Sequence, residues 1–163
     1  MAQGAMRGQD RPVIIIGGGI GGLATGLALA LKGIRSIVLE QSAEFREVGA
    51  GIQLGPNVFR RFERLGIRAA IEADAVRPDN LIMRDALTGE EVTRIPMGDH
   101  CVARFGMPYA VTHRADLHLT LLKACQAQKL IELRNNAKVT AHHDNEDSVS
   151  VTLADGETVF GDC

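Results

Sequence analysis

Three glycines at the spacing G-x-G-x-x-G, Gly17, Gly19 and Gly22, are followed by a carboxylate, Glu40, 18 residues past the last of them. In such a run the first glycine permits a tight turn, the second lets the backbone approach a pyrophosphate, and the third lets a helix pack closely on a strand. Unpaired N–H groups at the start of the helix then face the phosphates. An acidic residue at the end of the next strand would hold an adenosine ribose through its hydroxyls. Glycine clusters also occur in plain turns and flexible loops, so the surrounding sequence has to decide between the two readings.

The elements needed to position these residues are legible around them. Val13 to Ile16 is a β-branched apolar run leading straight into Gly17-Gly18-Gly19-Ile20-Gly21-Gly22. Ile20, Ala24, Leu27 and Leu31 then fall on one helical face, and Ser36 to Leu39 reads as the next strand, ending at Glu40. This is a βαβ unit built for a dinucleotide. After the loop from Gln41 to Gly49, the run from Ala50 to Asn57 is expected to follow an irregular course fixed by Gly51, Gly55 and Pro56. A helix with Val58, Phe59, Phe62 and Leu65 on its apolar side should follow, capped by Asn57 and stopped at Gly66.

Farther on, Leu81 to Met83 and Glu91 to Ile95 flank a glycine-containing turn and predict a hairpin of a separate sheet. Tyr109 to Thr112 predicts a strand, and Leu117, Leu121, Leu122 and Cys125 or Ala124 form the face of a helix ending near Lys129. Leu130 to Leu133 then resumes as a parallel strand. Lys138 to Ala141, Val149 to Leu153 and Thr158 to Phe160 alternate in pattern around polar turns at His142 to Asp147 and Asp155-Gly156, which predicts an antiparallel meander. The fold class expected is α/β, a Rossmann-like βαβ fold with an antiparallel β-meander, incomplete at its C-terminal end. Residues 1–12 are expected to be disordered, and residues 13–163 to form the nucleotide domain.

Composition excludes several classes. With 163 residues, a net charge of -2 and a pI near 6.2, the chain has about one domain and no basic footprint for nucleic acid. Arg60, Arg61, Arg64 and Arg68 read as the wet side of a helix. Cys101, Cys125 and Cys163 are odd in number and lack C-x-x-C spacing, which favours a reducing compartment. The uncharged run from Val13 to Leu31 contains six glycines where the nucleotide turn belongs, so no membrane span is expected. Met1 to Pro12 carries no secretory hydrophobic region, and a cytoplasmic location follows. His113 and His118 lack the H-E-x-x-H pattern, and no metal site is expected.

The ordered motifs Gly17-x-Gly19-x-x-Gly22, Glu40-Gln41, Val48-Gly49-Ala50-Gly51-Ile52-Gln53-Leu54-Gly55-Pro56-Asn57 and His113-Arg114-Ala115-Asp116-Leu117 resemble the single-component FAD-dependent aromatic hydroxylases. The resemblance runs from about Val13 to Asp162. It implies that Gly17, Gly19, Gly21 and Gly22 carry the FAD pyrophosphate, that Glu40 with Gln41 beside it holds the ribose, and that Arg114 reaches the cofactor. It further implies that the backbone of Val139 touches the adenine and that Gln53 lies near the flavin ring. Read from the residues alone, Arg114 could be a solvated arginine at a helix start, Glu40 a surface carboxylate, and Gln53 an amide satisfying backbone groups.

In that family the cofactor carries the chemistry: NADH or NADPH reduces the flavin, and oxygen from O2 is placed on an electron-rich ring, here a hydroxybenzoate of the 3-hydroxybenzoate or salicylate class. The resemblance also implies that the hairpin near 81–95 belongs to a substrate-side sheet, that the catalytic base and most substrate contacts lie beyond Cys163, and that this chain alone is an inactive piece. A homodimer is the assembly expected. Other readings are a non-catalytic dinucleotide-binding module, an NAD-dependent dehydrogenase, and a subunit completed by another chain.

Overall fold

The first strand, β1 (Val13–Ile16), delivers the chain to the glycines, and α1 (Ile20–Ala30) starts immediately after them. The structure is a computed structural model that describes residues 11–46, 49–145 and 147–162. The chain continues through β2 (Ser36–Leu39), β3 (Gly51–Leu54), α2 (Pro56–Arg64) and α3 (Arg68–Asp74). Then come β4 (Asn80–Arg84), β5 (Glu91–Pro96), α4 (Gly98–Phe105), β6 (Ala110–His113) and α5 (Arg114–Gln126). The last elements are β7 (Ile131–Arg134), β8 (Val139–Asn145), β9 (Ser148–Leu153) and β10 (Thr158–Gly161). Two units divide the chain: Met1–Glu47 with Leu121–Cys163, and Val48–Thr120.

In the first unit β1, β2 and β7 form a parallel sheet in the order β1-β2-β7. A central parallel strand is buried on both faces, and every residue of β2 is buried accordingly. Alternation then sorts the side chains. Val38 and Ile131 face α1 at Gly26, where a Cβ would lie 3.6 Å from both, an ordinary packing distance. Ile37 and Leu39 point the other way and pack with Ala137, Val151, Leu153 and Val159, joined by Ile14 and Val139. The second face is therefore covered by the meander, order β10-β9-β8. The α/β class and the meander stand as expected.

The chain's last described residues return to β1. Asp162 forms a parallel bridge with Val13, its N–H donating to the Pro12 carbonyl at 2.9 Å while its own carbonyl accepts from Ile14 at 3.1 Å. Gly161 is required there, because a Cβ would overlap the Pro12 carbonyl and the Ile14 side chain. Residues 1–10 of the expected disordered segment lie outside the described residues. Arg11 donates to the Asp147 carbonyl at 3.1 Å.

The second unit pairs β3 with β6 antiparallel and β4 with β5 antiparallel. Phe59 and Phe62 of α2 are buried and meet edge to face, 5.8 Å between centroids. Every residue of β4 and β5 is exposed.

Several expectations need correction. Residues 51–54 are not irregular but strand, because their backbone pairs with β6 from Gly51 opposite His113 to Leu54 opposite Ala110. Asn57 does not cap α2; Pro56 takes the first helical position, where its missing N–H costs nothing, and Gly55 becomes the N-cap. The buried stripe of α1 is Leu23, Gly26 and Leu27, whereas Leu31 is exposed, because the helix ends and turns at Leu31. His142 and His143 lie within β8, opposite Val151 and Ser150, rather than in a turn. Arg68 belongs to α3, ion-paired with Glu63 and Glu72, and α5 ends at Gln126. The sequence reading does not predict helices α3 and α4, which are only seven and eight residues long.

Candidate dinucleotide site

Each glycine of the loop in the first unit has its own reason. Gly17 holds φ +106°, a conformation that side chains rarely adopt, and its N–H donates to the Leu39 carbonyl at 2.8 Å. A Cβ on Gly22 would overlap the Gly17 carbonyl oxygen and touch Ile15, so this glycine sets the helix-to-strand distance. Gly19 is the N-cap of α1 in extended backbone, with no side-chain cap and no acidic residue in the first turn. Gly21 is different. Among the described residues a Cβ there would meet nothing within 4 Å, although glycine in a helix is less favourable than alanine by about 0.5–1 kcal/mol. Nothing in the protein's own packing asks for it; a ligand lying against the first turn would.

Glu40 closes the loop from the side. Its Oε2 accepts from the Gly18 N–H at 2.8 Å, and its Oε1 accepts from the Ser42 N–H at 2.9 Å. Burial acts to raise its pKa, but hydrogen bonds from the backbones of Ser42, Gly18 and Gln41 and from the Ser42 hydroxyl outweigh burial and hold it below the usual carboxylate value. The carboxylate is therefore ionised at neutral pH, and a carboxylate has about four acceptor sites, leaving room for sugar hydroxyls. Gln41 is exposed just past β2. The segment is fixed from below by Ala137 donating to the Glu40 carbonyl at 2.8 Å and Asn136 to the Ser42 carbonyl at 2.9 Å. Asn135 Nδ2 donates to the Ala43 carbonyl. Val139 begins β8 opposite Leu153, half-buried against the meander-side core.

Sequence reasoning missed three participants. Gly18 supplies the N–H that orients Glu40, Ser42 supplies the second donor, and the Phe45 ring packs so closely over Gly18 that a Cβ there would overlap it. The only signal available was Gly18 itself, a glycine at a position that G-x-G-x-x-G leaves unspecified.

In the second unit, Gln53 sits exposed in β3 opposite Val111. Arg114, exposed, opens α5, and its N–H donates to the Ala50 carbonyl at 3.1 Å. Gly49 allows this approach, since a Cβ there would come 2.7 Å from Arg114 Cβ. The glycine loop, Glu40, Gln41 and Val139 thus belong to one unit, and Gln53 and Arg114 to the other. Cys125 is buried, its thiol donating to the Leu23 carbonyl at 3.3 Å and pushed up to about 11 by burial, so it is no nucleophile at neutral pH. Cys101 is also free and buried. Among the described residues no group of three or more His, Cys, Asp or Glu side chains is placed to hold a metal, and no helix is long and apolar enough to cross a membrane.

A strand, a glycine turn, an uncapped helix and a carboxylate ending the second strand define a dinucleotide-binding domain. The chain belongs to the FAD binding domain family, which it matches over residues 10–159. It is 47% identical over 142 residues to 3-hydroxybenzoate 6-hydroxylase of Polaromonas naphthalenivorans, covering 87% of this chain and 36% of that protein. It is 36% identical over 151 residues to 6-hydroxynicotinate 3-monooxygenase of Bordetella bronchiseptica, covering 93% of this chain and 38% of that protein. Among solved structures, HpxO of Klebsiella pneumoniae complexed with FAD and uric acid superposes with a TM-score of 0.80 at 26% identity, over 98% of this chain and 39% of that one. The chain spans a little over a third of the length of these relatives.

Proposed function

We propose that this chain is the FAD-binding portion of a flavin-dependent, NAD(P)H-using monooxygenase that hydroxylates a hydroxybenzoate-type aromatic acid. FAD, when bound, would supply the redox chemistry, two-electron exchange with the nicotinamide and activation of O2 toward the ring. The chain's own residues bind and orient it. The N–H groups opening α1 face the diphosphate, Gly21 leaves space for it, and Glu40 takes the adenosine hydroxyls with Gln41 beside it. We assign Arg114, with its planar fork, to cofactor oxygens, Gln53 to the neighbourhood of the flavin ring, and the backbone of Val139 to the adenine. The observation that carries the reading is Gly21, where a Cβ would meet nothing within 4 Å, in a glycine loop whose Gly18 holds the Glu40 carboxylate. The 47% identity to a 3-hydroxybenzoate 6-hydroxylase points to that substrate class. A cytoplasmic homodimer completes the reading, and the chain alone is inactive.

The test is to express the full-length protein that contains this chain and record its bound chromophore, its oligomer size, and NADH and NADPH consumption with and without 3-hydroxybenzoate and salicylate. Bound FAD, and nicotinamide oxidation stimulated by one acid with a hydroxylated product, are expected. A colourless protein that consumes no nicotinamide with either acid would sink the proposal.

A further inference from the structure

Within the second unit, Pro56, Asn57, Arg60, Arg61, Arg64 and Phe105 line an open cavity of about 400 Å³, a size that suits a small-molecule site. Three of its six lining residues are arginines and none is acidic. Some other guanidiniums of this unit are matched with carboxylates, Arg68 with Glu63 and Glu72, Arg77 with Glu72, and Arg94 with Glu91, whereas Arg84 donates to the Gly89 carbonyl and Arg104 stacks on Phe105. Among the described residues Arg60, Arg61 and Arg64 have no such partner. Like charges one turn apart on a helix repel, as Arg60 and Arg64 do, while Arg61 and Arg64 lie in the last turn of α2, where the helix dipole favours cations.

The cavity is also partly organised. Arg60 donates from its Nη2 to the Phe105 carbonyl at 2.6 Å, tying α2 to the end of α4. The Phe105 ring is 43% exposed, and Arg104 stacks on it at 5.2 Å. Pro56 and Asn57 bring the positive end of α2 to the rim, and that end has no acidic residue in its first turn. Three cations exceed what one carboxylate would neutralise. Guanidinium forks match phosphate oxygens bidentately, and an exposed aromatic ring accepts a flat heterocycle.

We propose that this cavity binds the diphosphate of a nucleotide, with Arg61 and Arg64 on its phosphate oxygens and Phe105 against its base. The inference rests on the reading above, in which a reduced nicotinamide dinucleotide is the co-substrate, and it assigns these residues to docking that molecule. The same phosphate chemistry could be met by a free anion, so the experiment separates the two.

The flavin-loaded full-length protein is titrated calorimetrically with ADP and with inorganic pyrophosphate, and flavin reduction is followed against NADH concentration without oxygen. ADP should bind about tenfold more tightly than pyrophosphate, the difference that base stacking supplies. The double variant Arg61→Gln/Arg64→Gln should weaken ADP binding and raise the half-saturating NADH concentration by about tenfold or more, with FAD content kept. Phe105→Leu should weaken ADP but not pyrophosphate, and Arg68→Gln should change neither. Equal ADP affinity in parent and double variant, or pyrophosphate binding as tightly as ADP, overturns the site. A parent protein without flavin overturns the flavin reading instead, and the ADP difference between parent and double variant still decides the arginine site.

Discussion

At position 21 a methyl group would enter open space, whereas at position 22 it would strike the Gly17 carbonyl, so adjacent glycines predict opposite outcomes. Gly21→Ala should leave stability unchanged or raise it by about 0.5–1 kcal/mol, yet lower FAD retention by the full-length protein. Gly22→Val should cost about 1–3 kcal/mol by overpacking and lose flavin as well. Urea unfolding and flavin absorbance of the purified variants separate the two effects. Glu40 adds a pH signature. Its folded pKa lies below the ordinary 4.5, so its stabilisation is complete above about that pH and is lost as pH falls through the lowered folded value. The stability gap between the parent and Glu40→Gln should therefore be constant near neutrality and shrink in acid below 4.5.

Among the elements, α1 and β2 set how well the site is held. Gly26 has room for a Cβ at ordinary contact distance from Val38 and Ile131, so Gly26→Ala should stabilise the protein by about 0.8–1 kcal/mol through helix propensity. Leu39, 1% exposed between the parallel sheet and the meander, should cost about 2–5 kcal/mol when cut to alanine. Thermal melting checks both. Elements whose periodicity follows from their own burial were legible in the sequence: β1, β2, β7 and the meander announce themselves by apolar runs and alternation. What the sequence hid was settled by partners far along the chain. Gly51 to Leu54 becomes strand only because β6 lies opposite, and the extension of β8 through His142 and His143 depends on β9. The glycines and Glu40 of the candidate site were readable from spacing, but the hold of Gly18 on Glu40 was not, since it joins residues 22 positions apart.

For the molecule as a whole, the division into two units separates the nucleotide loop from a segment with unusual surface. Met83, Leu87 and Val92 of the β4–β5 hairpin are 61%, 97% and 62% exposed, a concentration of apolar surface that solitary proteins avoid. Replacing Met83 and Val92 with threonine should reduce self-association of the 163-residue chain in light scattering while leaving its melting temperature within a few degrees. The parallel sheet has a different exposure, one of time. Asp162 supplies the bonds on one side of β1, and β7 completes the other side of β2. A ribosome making this chain therefore releases the glycine turn, with β1 and β2, long before β7 and Asp162 exist. Such distant pairings are slow to form, so the nascent nucleotide loop rests on β2 and Glu40 alone until the outer neighbours of the sheet have emerged, the interval in which a chaperone or early flavin would matter most.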